Sequence, residues 1–166
     1  SLFTELIKDP YVLDFLKIPQ SNKVTEKDLE QKIIDNLQLF LLELGKGFTF
    51  VGRQFKISLG NKHFYIDLVF YHRILKCFVL IDLKTKSFRH NDIGQMNLYL
   101  NYFKAEENFE GDNEPIGIIL TAGKDEVLVE YATGGIANNI FVSQYQLHLP
   151  DKKILQKQVK ALLGKL

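Results

Sequence analysis

The stretch FYIDLVFYHRILKCFVLIDLKTK, residues 64–86, constrains this chain more than any other. It reads as two apolar strands joined by a short turn. Yet Asp67 lies inside the first, Asp82 ends the apolar run of the second, and Lys84 follows two residues later. A carboxylate in a buried strand is costly unless a partner compensates it. The question is what could compensate two of them.

Side chains alternate along a strand, so Asp82 and Lys84 share a face. A tight turn at Arg73-Ile74 sets His72 opposite Leu75 and Asp67 opposite Leu80, diagonal to Asp82 and on its face. In the preceding hairpin, a Gly60-Asn61 turn brings Gln54 opposite Asp67, and an Asn61-Lys62 turn brings Lys56 there instead. Either register adds a polar group to the face, provided no bulge intervenes. Two close carboxylates repel, and a divalent cation relieves them. Mg²⁺ accepts one or two carboxylates, keeps several waters and takes substrate phosphate oxygens. A lysine beside it can orient or deprotonate an attacking water, or stabilise a developing phosphorane charge. Taken alone, Asp-x-Lys is far more often a plain ion pair at a strand end. The second aspartate one hairpin back and the order of the flanking elements favour the site.

That order follows from local signals. Asp9-Pro10 predicts a short helix to about Lys17, and Pro19–Lys23 a loop. Thr25, with Asp28 three residues on, opens a helix striped by Leu29, Ile33, Leu37, Phe40 and Leu44 and stopped by Gly45 and Gly47. Three strands, roughly Phe48–Leu59, His63–Tyr71 and Lys76–Lys84, form an antiparallel meander. Helical spacing returns over Asp92–Glu106. Ile116–Thr121 reads as a strand buried on both faces, Asp125–Ala132 as a helix and Ile140–Ser143 as a strand. A last amphipathic helix, capped by Asp151, carries Leu155, Val159 and Leu162 on one side and lysines on the other.

The 166 residues suffice for one domain with a core, and a net charge of +1 confines any basic surface to a local patch. Lys84, Lys86, Arg89 and His90 form the dense basic segment beside the acidic face, suited to phosphate contacts. Cys77 is the single cysteine. That excludes an internal disulfide and a Cys-based zinc site, and fits a reducing, cytoplasmic compartment. The apolar runs are far too short to span a bilayer, so no membrane partner is expected.

At Asp67 and Asp82-Leu83-Lys84 the chain resembles the PD-(D/E)XK nuclease superfamily, whose motif is an acidic residue followed by a strand ending in Asp/Glu-x-Lys. Within it, LEQKIIDNLQLFLLELGKGFTFVGRQ, YIDLVFYHRILKCFVLIDLKT and GQMNLYLNYF resemble the YhcG-like family. The resemblance implies an α/β, restriction-endonuclease-like core: a mixed central sheet with an antiparallel three-strand meander, flanked by helices. It divides the chain into an N-terminal helix and linker, residues 1–24, and a nuclease-like domain, residues 25–166. It implies Mg²⁺ or Mn²⁺ held by Asp67, Asp82, the Leu83 carbonyl and Glu30, with Lys84 as the catalytic lysine. Gln95 and Tyr99 match a Gln-x-x-x-Tyr motif beside the site. Gln54, Lys56, Lys86, Arg89 and His90 are the candidate nucleic-acid contacts. Ile66 stands where the motif's name has proline, and Asp82 where relatives are expected to carry glutamate. The start at Ser1 reads as a piece of a longer protein with an N-terminal DNA-binding-type domain, and a homodimer is a further expected partner. The implied activity is metal-dependent hydrolysis of DNA phosphodiesters in bacterial DNA processing or defence. The alternative is a catalytically weak nuclease fold serving as a DNA-binding or assembly module. The site chemistry does not distinguish DNA from RNA, nor endo- from exonuclease action.

Overall fold

The computed structural model describes residues 5–134, 139–149 and 152–165, with side chains described from residue 155 in the last segment. Six strands form one mixed sheet: β1 (Tyr11–Val12), β2 (Phe48–Leu59), β3 (Lys62–His72), β4 (Cys77–Ser87), β5 (Ile116–Gly123) and β6 (Ile140–Gln146), in spatial order β1-β6-β5-β4-β3-β2. The meander β2-β3-β4 is antiparallel, and β4, β5, β6 and β1 run parallel. Five α-helices accompany it: α1 (Glu26–Asp35), α2 (Leu37–Leu44), α3 (His90–Tyr102), α4 (Glu126–Thr133) and α5 (Lys152–Gly164).

The alternation of the strands decides which helix covers which face. Leu68, Phe70, Val79, Ile81 and Leu83 face Leu29, Ile33, Phe40 and Leu44 of α1 and α2. Val69, Leu80 and Ile119 face Ile93, Met96, Leu100 and Phe103 on the side of α3. Each such side chain contributes about 1.5–3 kcal/mol on burial. Gly47 is required where it stands. Its φ is +102°, and a Cβ there would lie 2.4 Å from the His72 ring.

Four expectations need correction. The segment after Asp9 is not a helix. Tyr11–Val12 pairs in parallel with β6, because Asp9 spends its carboxylate on the Gln144 N–H and Lys124 rather than on a helix N-terminus. A three-residue 3₁₀ turn, Asp14–Leu16, follows. The stripe from Leu29 to Leu44 is two helices, broken at Asn36, whose side chain donates to the Lys32 carbonyl at 2.9 Å and competes with the helical ladder. The second hairpin turns over the four residues 73–76, with Lys76 at φ 52°, so its register slides by two and Asp67 opposes Asp82 rather than Leu80. Finally, α5 does not bury its apolar side: Leu155, Val159, Leu162 and Leu163 are all exposed. Asp151, its expected cap, lies outside the described residues. Among the described residues no helix is long and apolar enough to cross a membrane.

Candidate active site

The site forms where β3 leaves β4. Pairing of these strands runs from His72↔Cys77 to Leu68↔Ile81. The next residue pair is Asp67 and Asp82, after which the β2-β3 hairpin curls away. The Leu83 N–H, which has lost its β3 partner, donates to Asp67 Oδ2 at 2.8 Å. In an extended strand the N–H and C=O of one residue project to the same side, so the Leu83 carbonyl also faces this gap. Gln54 opposes Asp67 from β2, the register of a Gly60-Asn61 turn, and its Nε2 donates to Asp67 Oδ1 at 3.0 Å. Lys56, the alternative, pairs with Tyr65, is exposed and makes no bond to the acidic pair.

The electrostatics follow from this packing. Asp82 is buried. Burial pushes its carboxyl up, the Asp67 charge pushes the same way, and Lys84 pulls it back, leaving it at about 7. Lys84 Nζ lies 3.2 Å from Asp82 Oδ2 and 3.6 Å from Asp92 Oδ1. Burial opposes the Lys84 ammonium, but Asp82, Asp92 and Asp67 outweigh it and raise its pKa. Burial, then the charges of Asp82 and Asp67, push the Tyr99 phenol up to about 12.

Glu30 reaches the site from α1. Its Oε1 accepts from Arg53 Nε at 3.1 Å and its Oε2 from Gln54 Nε2 at 3.0 Å. Glu30 thus joins Asp67 through the Gln54 amide, and among the described residues no three His, Cys, Asp or Glu side chains converge as a ready ligand set. An open cleft of about 460 Å³ runs past Glu26, Lys27, Glu30, Arg53, Gln54 and Asp67. Glu26 fastens α1 to β4 just beyond Lys84 by accepting the Thr85 N–H at 3.2 Å.

Of the remaining expected residues, Tyr99 lies within reach of the Asp82 and Asp67 charges and the others spread out. Tyr99 is buried among core residues and meets Phe64 edge-on at 6.3 Å. Gln95, one turn earlier, is exposed on the same helix. Arg89 and His90 are exposed at the start of α3. A register shift between Lys84 and Ser87 turns Lys86 into a different groove, which it lines with Asn22, Lys23, Thr85 and Tyr145. Among the described residues, Arg53, Asp92, Glu26 and Lys27 also meet the site or line its cleft, and no sequence signal singled them out for it. Asp92 is legible as the first-turn acid of α3, where it accepts the Arg89 N–H at 2.9 Å. Its approach to Lys84 depends on how α3 docks, which no local spacing encodes.

The model of the YhcG PDDEXK nuclease domain matches residues 4–160. The chain belongs to this family. "Putative nuclease YhcG" of Escherichia coli (strain K12) is 41% identical over 155 residues, covering 93% of this chain and 41% of that protein. The chain therefore spans about two fifths of the length of that curated relative. Among solved structures, an EndoMS–dsDNA complex matches with a TM-score of 0.50 at 12% identity, over 80% of this chain and 51% of that one. A repair endonuclease from Pyrococcus abyssi gives a TM-score of 0.47 at 13% identity, over 80% and 50%. The first of these likenesses is one of fold, and the architecture is restriction-endonuclease-like as expected.

Proposed function

We propose that this chain is a divalent-cation-dependent nuclease that hydrolyses DNA phosphodiester bonds. The observation that carries the proposal is the side-by-side placement of Asp67 and Asp82, with the Lys84 ammonium 3.2 Å from Asp82, in a PDDEXK family member.

The donor set fits a small hard cation. Asp67 and Asp82 supply two carboxylates and Leu83 a carbonyl, and the rest of a Mg²⁺ or Mn²⁺ shell is left to water and phosphate. The chemistry such an ion supplies is polarisation of the scissile phosphate and of an attacking water. The protein's part is organisation. The Leu83 N–H and Gln54 amide fix both oxygens of Asp67. Burial and the neighbouring Asp67 charge both raise the Asp82 carboxyl, and a cation held between the two aspartates would relieve that cost. Asp92 and Asp82 together hold the Lys84 ammonium. In that charged form Lys84 donates: it orients the attacking water and faces the negative charge that gathers on phosphorus oxygens. Lys27 and Arg53 line the cleft through which a strand would approach, and Lys86, Arg89 and His90 offer further phosphate contacts. With a net charge of only +1, the DNA-binding-type companion domain implied by the family resemblance would supply affinity that this chain lacks.

The test is incubation of plasmid, linear duplex, single-stranded DNA and RNA with the chain in Mg²⁺ or Mn²⁺, beside an EDTA control. Metal-dependent cleavage of DNA that Asp82→Asn abolishes is the expected result. Cation binding at the Asp67–Asp82 pair without cleavage of any substrate would favour a binding module on a nuclease fold.

A further inference from the structure

We infer that Arg53 is a latch on Glu30: it holds this carboxylate away from the cation site, and a phosphate group entering the cleft releases it. The inference rests on the cation site proposed above. The Glu30 side chain is only 4% exposed, yet both of its oxygens are engaged, Oε1 by Arg53 Nε and Oε2 by Gln54 Nε2. The same Gln54 nitrogen donates to Asp67 Oδ1 at 3.0 Å. Its two hydrogens bridge Glu30 and Asp67, the place a cation shared by the two carboxylates would take. Gln54 is held there with a left-handed φ of 43°, a conformation a glutamine adopts only when its surroundings impose it.

A buried carboxylate needs a cation, and Arg53 is the one it has. Arg53 and a divalent ion therefore compete for Glu30. The latch can open because Arg53 is held loosely elsewhere. Its Nη1 and Nη2 both donate to the neutral Gln31 side chain at 3.1 Å, and the Arg53 side chain is 36% exposed. It lines the open cleft together with Lys27. A phosphodiester in that cleft offers the guanidinium a charged, bidentate partner, which Gln31 is not. Once Arg53 turns to the phosphate, Glu30 is a buried carboxylate without a cation and joins Asp67 in holding the divalent ion. Linkage then requires that nucleic acid and divalent cation tighten each other's binding.

The test is Mn²⁺ titration of the chain by calorimetry, with no cleavage step. Glu30→Gln is expected to leave Mn²⁺ affinity within about twofold of the parent, because latched Glu30 is not a ligand. Arg53→Met is expected to tighten Mn²⁺ by about tenfold, and Arg53→Met/Glu30→Gln to return it to the parent value. A phosphorothioate oligonucleotide that resists cleavage should tighten Mn²⁺ in both through its own oxygens, but about tenfold more in the parent than in Glu30→Gln, and an equal gain in the two overturns the latch. An Arg53→Met affinity equal to the parent's overturns the latch, as does a weakened Glu30→Gln without nucleic acid. Asp82→Asn separates the two readings. If it binds Mn²⁺ as tightly as the parent, the cation site itself is wrong. If it loses Mn²⁺ while Arg53→Met changes nothing, only the latch falls. Should Arg53→Met fail to fold, the near-isosteric Glu30→Gln, with and without the oligonucleotide, decides alone.

Discussion

Replacing Asp82 by asparagine should stabilise the protein when no divalent ion is present, by an amount that grows from about pH 4 and is complete just above pH 7. The folded-state pKa of Asp82 is raised from 3.8 to about 7 by burial and by Asp67. In the unfolded chain the carboxyl ionises first, so between these values the folded state holds the extra proton. Stability associated with Asp82 is therefore fully present below its unfolded pKa and is lost as pH rises through the folded one. A rise from 3.8 to about 7 corresponds to roughly 4 kcal/mol. Because the surroundings of a buried carboxylate relax when it ionises, about 2 kcal/mol is the expected yield at pH 8. For a chain of this size that is a rise in Tm of about 4–8 °C. The assay is urea unfolding of parent and Asp82→Asn in EDTA at intervals from pH 5 to pH 8. The stability difference should open as pH rises and level off above pH 7. A difference independent of pH, or an asparagine variant less stable than the parent at pH 8, would refute the reasoning and make Asp82 a structural ion-pair partner of Lys84.

Three other outcomes follow from single contacts. Lys84→Met keeps the apolar stem and deletes the charge held by Asp82 and Asp92. It should lower DNA cleavage by about two to four orders of magnitude while calorimetry shows Mn²⁺ binding intact. Lys86→Ala with Arg89→Ala should flatten the slope of log DNA affinity against log salt by about two units at most, measured by fluorescence anisotropy. An unchanged slope would move the DNA path off this segment. Gly47→Ala must fit a Cβ 2.4 Å from the His72 ring at φ +102°. A loss of about 2–4 kcal/mol in chemical denaturation is expected, with Mn²⁺ affinity per folded molecule unchanged.

The acidic face was legible because its argument rests on parity, and parity survived the error. The second hairpin slid by two residues, an even number, so Asp67 stayed on the side of Asp82 and came closer to it. The limits of β2, Phe48 to Leu59, follow from its flanking glycines and match the structure. Signals that depend on competition were not legible. Asp9-Pro10 has the chemistry of a helix start, but β6 offers Asp9 a backbone N–H and Lys124, and the chain takes the strand. The hydrophobic stripe through Asn36 is continuous, and only the side chain bonding back to Lys32 breaks the helix. Arg53 and Gln54 are neighbours on β2, yet both donate to Glu30. What the sequence could not show is that α1 brings Glu30 within reach of both.

The central claim is that Asp67, Asp82 and the Leu83 carbonyl form one cation site beside Lys84. Crystals of the chain soaked in Mn²⁺ and measured at the manganese absorption edge test it most directly. The account predicts an anomalous peak within about 2.0–2.6 Å of an oxygen of Asp67, an oxygen of Asp82 and the Leu83 carbonyl. A fully soaked crystal with no peak there, or with manganese bound only at other carboxylates, would contradict it.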